Sequence, residues 1–147
     1  SLSLLDALEI YGAVLLAAAG LRRLGLEHRI SRLFSPEELL PAAGQGILAV
    51  QARADGCTEL FAGLDCAESR ICAAAERAVV RGLDGGCFAP IAAYAECSGT
   101  RVRVRGMYAP KETIWRAEAC GETADAETLG LEVAHQLLCQ AKEGEAW

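Results

Sequence analysis

The stretch AAERAVVRGLDGGCFAPIAAYAE, residues 74–96, decides the fold because it predicts the end of a helix and the start of a strand. Apolar residues recur at helical spacing up to Arg81, and Gly82 is predicted to stop the helix. The run PIAAYAEC, residues 90–97, is typical of a strand. Between them lies Cys87, which two glycines precede. Glycines keep side chains away, so this thiol is predicted to stand exposed beside a cleft.

The predicted helix extends backwards from this stretch to about Cys66. Asp65 and Glu68 have the spacing of an N-terminal capping box. Apolar residues recur every three to four positions along this helix and predict its buried face, which comprises Ile71, Cys72, Ala75 and Val79.

Two more strands and a second helix follow along the chain. RVRVRGMY (101–108) and TIWRAEAC (113–120) predict the strands, and a tight turn at Gly99 joins the first of them to the strand before it. The apolar period from Thr123 to Lys142 predicts the closing helix. Residues 56–147 therefore predict a C-terminal domain of the α+β class, a three-stranded antiparallel sheet covered by helices.

Residues 1–55 predict only part of an α/β arrangement. GAVLLAA (12–18) is interpreted as a strand that leads into the helical turn AAGLRRLGLE (18–27), and residues 47–53 as a second strand. These strands have no predicted partners. We therefore expect a piece of a longer protein, in which residues 1–55 are a partial segment of earlier domains and residues 56–147 are a separate domain.

Amino-acid composition and net charge exclude several classes of protein. The chain has 147 residues, a hydrophobic fraction of 52%, a net charge of −6 and a pI near 5.0. The apolar content predicts a packed globular protein. The negative charge argues against a nucleic-acid partner. No apolar run reaches the roughly 18 residues that a membrane span needs, and no signal peptide is apparent.

The seven cysteines share no C-x-x-C spacing, which argues against a zinc site; they are Cys57, Cys66, Cys72, Cys87, Cys97, Cys120 and Cys139. No metal ligand is predicted. A disulfide framework is not expected without a secretory signal. We expect the six cysteines other than Cys87 to be reduced, buried side chains of a cytoplasmic protein. For Cys87 the residues alone leave two readings open, a nucleophile or a plain loop thiol.

Several polar residues have both a functional and a structural interpretation. Arg22 and Arg23 follow a predicted strand, where they could bind an anion or form a solvated helix face. Gln45 stands between Gly44 and Gly46, which permits close approach of a ligand or a tight entry into a strand. A further set, predicted to line the solvent-exposed face of the sheet, comprises Arg101, Arg103 and Arg105.

Four ordered segments resemble the porphobilinogen deaminases, also called hydroxymethylbilane synthases. They are LLAAAGLRRLGLEHRI (15–30), LPAAGQGILAVQAR (40–53), the stretch 74–96 and the closing helix. The resemblance covers essentially the whole chain and corresponds to the C-terminal half of that family only: the end of the second domain, the strand that crosses back to the first, and the third domain.

The resemblance implies a transferase of heme biosynthesis. Such an enzyme polymerises four molecules of porphobilinogen, with release of ammonia, into hydroxymethylbilane. The resemblance also implies that Cys87 holds a dipyrromethane cofactor through a thioether. It further implies that Gln45 and Gly46 line the cofactor cleft and that Arg23 binds a carboxylate of the substrate. Phe88 departs from the family pattern, which has a polar residue, often glutamine, beside the cysteine.

The family's catalytic carboxylate belongs to the N-terminal half, and Asp84 does not match it. No catalytic residue is therefore assigned in this chain. We expect the isolated chain to be inactive, with Cys87 a free thiol that lacks the cofactor, and to need the missing N-terminal half as its partner. The full-length enzyme is expected to be a cytoplasmic monomer. The alternative is a non-catalytic fragment or degenerate homologue that acts as an interaction module.

Overall fold

The computed structural model describes residues 12–53, 58–84, 89–111 and 113–144. The chain divides into two compact units, one up to Ser35 and the other from Pro36 onward. The domain boundary predicted near residue 55 stays a prediction.

The first unit contains one short helix, α1, Ala18–Arg23, and a 3-10 turn, Glu27–Arg29. Gly25 follows α1 with a φ of +69°, a conformation that favours glycine. The strand predicted over residues 12–18 is wrong: residues 12–17 have no regular structure and their side chains are exposed. A strand needs a hydrogen-bonded neighbour, and none lies beside it in the part of the chain that the structure describes.

The second unit is built on an antiparallel sheet of three strands in the order β1-β2-β3. Its strands are β1 (Ile91–Ser98), β2 (Arg101–Tyr108) and β3 (Trp115–Glu122). The β1–β2 hairpin turns at Gly99, where φ is +62°. The predicted α+β fold of the C-terminal domain is thereby confirmed, with the third strand shifted two residues along the chain.

Two helices cover one face of this sheet: α2 (Ala67–Gly82) and α3 (Ala126–Gly144). Single 3-10 segments, Thr58–Leu64 and Thr123–Asp125, precede them. The core between helices and sheet contains fully buried side chains, the largest of which are Val79, Val102, Val104, Val133 and Leu137. The apolar face predicted for α2 therefore points into the core, and α3 contributes Val133 and Leu137 to the same core.

The ends of α2 differ from the prediction. Its N-cap is Cys66, whose side chain forms no capping hydrogen bond, and Asp65 pairs with Arg70 instead of closing a capping box. At the other end Gly82 is still helical, and Asp84 takes the left-handed conformation, with φ of +50°. A Cβ at Gly82 would lie 2.5 Å from Cβ of Ala134, so this glycine allows α3 to approach.

The strand predicted over residues 47–53 is also wrong, since the segment has no regular structure and residues 48–53 are exposed. Over the described ranges, no helix is both long and apolar enough to cross a membrane.

Candidate functional site

The Gly44–Gln45–Gly46 segment forms a tight turn at the surface of the second unit. Gly44 has a φ of +73°, and the N–H of Ile47 donates to its carbonyl at 3.0 Å. Gln45 folds back, so that its Oε1 accepts the N–H of Ala42 at 3.3 Å. The amide nitrogen of this exposed side chain is then the group that can donate to a ligand.

A buried carboxylate holds the turn in place. Glu76, on α2, is only 4% exposed. One of its oxygens accepts the N–H of Gly44 at 2.6 Å, and the other accepts the N–H of Ala95 in β1 at 2.9 Å. The carbonyl of Pro41 accepts the N–H of Ala93 at 3.1 Å. The chain that leads into the turn is thereby fixed along the free edge of the sheet.

An open cleft of about 530 Å³ begins at Gly46. Its walls come from the segment after the turn, from the 3-10 segment Thr58–Leu64 and from the start of α2; they are mostly apolar and include Leu48, Val50, Phe61 and Leu64. A Cβ at Gly46 would meet nothing within 4 Å, so the space beside this glycine at the mouth of the cleft is open.

A thiol also lines this cleft. The pKa of Cys66 is lowered, mainly because the side chain of Ser69 hydrogen-bonds to its sulfur. Arg70, which lines the same cleft, is held by its ion pair with Asp65.

The sheet face opposite the helices is polar, but it is not uniformly solvated. Arg103, as predicted, is exposed, and its pKa is raised by its hydrogen bond to Glu118 on β3. Arg105 contradicts the prediction, because only 8% of its side chain is exposed. Its guanidinium bridges Glu37, at 2.5 Å, and Glu96.

Tyr94 completes this polar network. Its ring centroid lies 5.2 Å from the Arg105 guanidinium carbon, and burial raises the pKa of its hydroxyl. The bond from Arg105 to Glu37 attaches the segment that precedes the Gln45 turn to the sheet. Through the buried Arg105 this face also supports the turn, whereas Arg101 and Arg103 are exposed as predicted.

The predicted site residues fall into three places. Gln45 and Gly46 share one turn of the second unit. Arg23 is the exposed last residue of α1 in the first unit, and it forms no ion pair with any residue that the structure describes, whereas Arg22 pairs with Glu27 at 3.3 Å. Cys87 lies outside the described residues, between Asp84, two residues after the end of α2, and the start of β1.

Sequence reasoning missed Glu76. A usable signal exists, because residue 76 follows Cys72 by four positions and precedes Val79 by three, which puts a carboxylate on the apolar face of α2. An ionised side chain at such a position requires buried donors.

The expectation of buried cysteines holds only in part. Cys72 and Cys97 are half-buried, whereas Cys66, Cys120 and Cys139 are exposed, and all five are free thiols. Cys57 lies outside the described residues. Within those ranges no group of three or more His, Cys, Asp or Glu residues could hold a metal ion.

Two family models match the chain in sequence order. Residues 2–59 match "Porphobilinogen deaminase, dipyromethane cofactor binding domain", and residues 70–139 match "Porphobilinogen deaminase, C-terminal domain". The first match includes Arg23, Gln45 and Gly46, and the second includes Cys87.

Curated relatives give the same result. The chain is 44% identical over 134 residues to the porphobilinogen deaminase of Coxiella burnetii (strain Dugway 5J108-111), with 88% of this chain and 44% of the relative covered. It is 42% identical over 129 residues to that of Acetivibrio thermocellus, with 87% and 44% covered. The protein of the same name from Ruminiclostridium josui is 41% identical over 129 residues, with 86% and 44% covered. The chain thus spans less than half the length of these relatives, and it belongs to the porphobilinogen deaminase family.

Proposed function

We propose that this chain supplies the C-terminal part of a hydroxymethylbilane synthase. The complete enzyme would polymerise four porphobilinogen molecules into hydroxymethylbilane and release ammonia. Membership of the family supports the reaction class, and the two matched domains support the position within the enzyme. The proposal includes a cytoplasmic location for the complete enzyme.

Cys87 is the proposed attachment point of dipyrromethane. The supporting observation is that the segment containing Cys87 connects α2 to β1, two elements that both pack into the core. Val79 on α2 and Ala93 on β1 are both fully buried. Asp84 turns the chain away from the end of α2, and only residues 85–90 separate it from β1. Cys87 is three residues after Asp84 and four before Ile91, so an attachment point there is close in sequence to both of these elements.

The Gln45 turn fits a carboxylate-bearing pyrrole. Dipyrromethane supplies the covalent end to which porphobilinogen units are joined. The Gln45 amide nitrogen can donate to an acetate or propionate oxygen. The apolar walls beyond Gly46 offer a surface against which flat rings can pack. Glu76 would act through the backbone, by fixing the turn that presents Gln45.

Arg23 is proposed to bind a substrate carboxylate. Its side chain is exposed and has no ionic partner among the described residues, whereas its neighbour Arg22 is engaged by Glu27. A guanidinium can bind a carboxylate through two parallel hydrogen bonds.

The rest of the enzyme is the proposed partner. Among the described residues, eleven large apolar side chains between Val14 and Leu64 are exposed, including Leu24 at 72% and Leu48 at 82%. Surfaces of this kind are covered in assembled proteins. Because no catalytic carboxylate is assigned here, we propose that the isolated chain is inactive and carries no cofactor.

Complementation tests this function. The chain would be co-expressed with the portion of the Coxiella burnetii relative that lies outside the match, and purified complexes would be supplied with porphobilinogen. We expect hydroxymethylbilane from the complex and none from either part alone. The Cys87→Ser complex should assemble and form no product. Assembly without product from the unmodified complex would instead favour the interaction module.

A further inference from the structure

Two thiols meet where α2 packs on β1. The Sγ atoms of Cys72 and Cys97 are 3.5 Å apart, and both side chains pack against the core while remaining half-buried. The Cys97 sulfur also lies 3.9 Å from the carbonyl oxygen of Glu68, to which its S–H can donate. Cys72 can then donate its own hydrogen to the Cys97 sulfur.

We propose that Cys72 and Cys97 form an oxidation site, which a small hydroperoxide such as hydrogen peroxide converts into a disulfide. A disulfide bond is about 2.05 Å long, so the two sulfurs, now 3.5 Å apart, need to approach by about 1.5 Å. Half-burial admits a small oxidant more readily than a bulky one. The inference goes beyond the proposed function and does not depend on it.

The chemistry is balanced by one molecule of hydrogen peroxide. The Cys97 sulfur attacks a peroxide oxygen, an S–O bond forms, the O–O bond breaks, and one water leaves. The Cys72 sulfur then attacks the Cys97 sulfur, the S–S bond forms, and the S–O bond breaks. The Cys72 proton leaves with the departing hydroxide as a second water. The two thiols lose two electrons in total, and the peroxide gains them.

The protonation of the Cys72 thiol indicates which of the two sulfurs is oxidised first. Burial, followed by its hydrogen bond with Cys97, raises the pKa of Cys72 to about 12, so this thiol keeps its proton at neutral pH. A thiolate reacts faster than a thiol. Oxidation is therefore expected to start at Cys97, with Cys72 as the resolving partner.

The crosslink would enclose the connection that carries Cys87. Cys72 precedes that connection and Cys97 follows it, so the disulfide closes a ring through the end of α2, residues 85–90 and most of β1. A crosslink over such a loop restricts the unfolded chain and stabilises the folded one.

Peptide mapping and thermal unfolding test the site on the chain as it exists. The protein would be treated with stepwise amounts of hydrogen peroxide, alkylated and digested with trypsin. We expect residues 71–77 to be linked to residues 82–101. The second peptide contains both Cys87 and Cys97, so the map is repeated with Cys87→Ser, in which the link should persist. The oxidised protein should melt about 10 °C higher, and dithiothreitol should reverse the rise.

Single cysteine-to-serine variants test whether the disulfide joins these two residues. Cys72→Ser and Cys97→Ser should each lose both the link and the rise, whereas Cys139→Ser, at an exposed thiol, should keep both. Peptide mapping of the unmodified chain tests the proposal even if a variant fails to fold. Recovery of Cys72 and Cys97 as alkylated thiols at peroxide levels that oxidise the exposed cysteines would overturn the proposal, as would links that exclude either residue.

Discussion

Replacement of Glu76 by alanine should destabilise the second unit and release the Gln45 turn. The carboxylate is 4% exposed and accepts two backbone N–H groups, from Gly44 at 2.6 Å and from Ala95 at 2.9 Å. A hydrogen bond to a charged group contributes about 1.5–3 kcal/mol, and removal of the acceptor leaves both donors without a partner. Alanine favours helix more than glutamate does, so α2 itself is not weakened.

We expect Glu76→Ala to lower the free energy of unfolding by about 3 kcal/mol. This is twice the lower value for one hydrogen bond to a charged group. Glu76→Gln keeps one acceptor oxygen and should lose about half as much. Arg77→Ala is the matched control, since Arg77 is exposed on the same helix, and it should stay within about 0.5 kcal/mol of the unmodified chain.

Urea unfolding followed by circular dichroism measures these differences. A loss of about 3 kcal/mol should lower the midpoint by about 2 M for a unit of this size. Amide hydrogen exchange adds a local readout, in which the Gly44 and Ala95 amides should exchange faster in Glu76→Ala. A change below about 0.5 kcal/mol, equal to that of Arg77→Ala, would mean that the two hydrogen bonds of Glu76 do not stabilise the fold.

Three other outcomes follow from the contacts in the second unit. Arg105→Ala should lower the free energy of unfolding by about 1–2 kcal/mol in urea, because it removes a buried side chain and two ion pairs whose half-exposed carboxylates water can then solvate; no loss would mean that the pairing is not formed. Gly130→Ala should lower it by about 2 kcal/mol, because a Cβ there would collide with the carbonyl of Ala75; an unchanged midpoint would contradict this close packing. Iodoacetamide at pH 8 should label Cys66 fast and Cys72 last. The raised pKa of Cys72, about 12 against an ordinary 9.0, lowers its thiolate fraction about 1000-fold, whereas the pKa of Cys66 is lowered. Peptide mapping over time checks the order, and early labelling of Cys72 would contradict it.

The C-terminal fold could be predicted from the sequence because its signals are local. Each signal is contained in a short run of consecutive residues. Examples are the turn at Gly99, the alternation of β2 and the helical period of α3. The strand predictions at residues 12–18 and 47–53 failed for the opposite reason. A strand depends on a partner, and an apolar run such as GAVLLAA contains no information on whether one is present.

The candidate site was predicted only in part. The glycines beside Gln45 indicated a special turn, and Gly44 does take a positive φ. The support of that turn by Glu76 depends on a contact 32 positions along the chain, which spacing does not reveal. The burial of Arg105 has the same origin, because Glu37 reaches it from 68 positions away. The alternation of β2 predicted its face correctly and its exposure incorrectly.

The central claim is that Cys87 anchors dipyrromethane when the enzyme is complete, and intact mass measures it most directly. The chain would be isolated alone and from the complex with the complementary part of the Coxiella burnetii relative, after both have been supplied with porphobilinogen. We expect the isolated chain to have the mass of the bare sequence. For the chain from the complex we expect an added mass of two linked pyrrole units, which maps to residues 82–101 and is lost in Cys87→Ser. A complex that forms product while Cys87 remains an unmodified thiol would contradict the account.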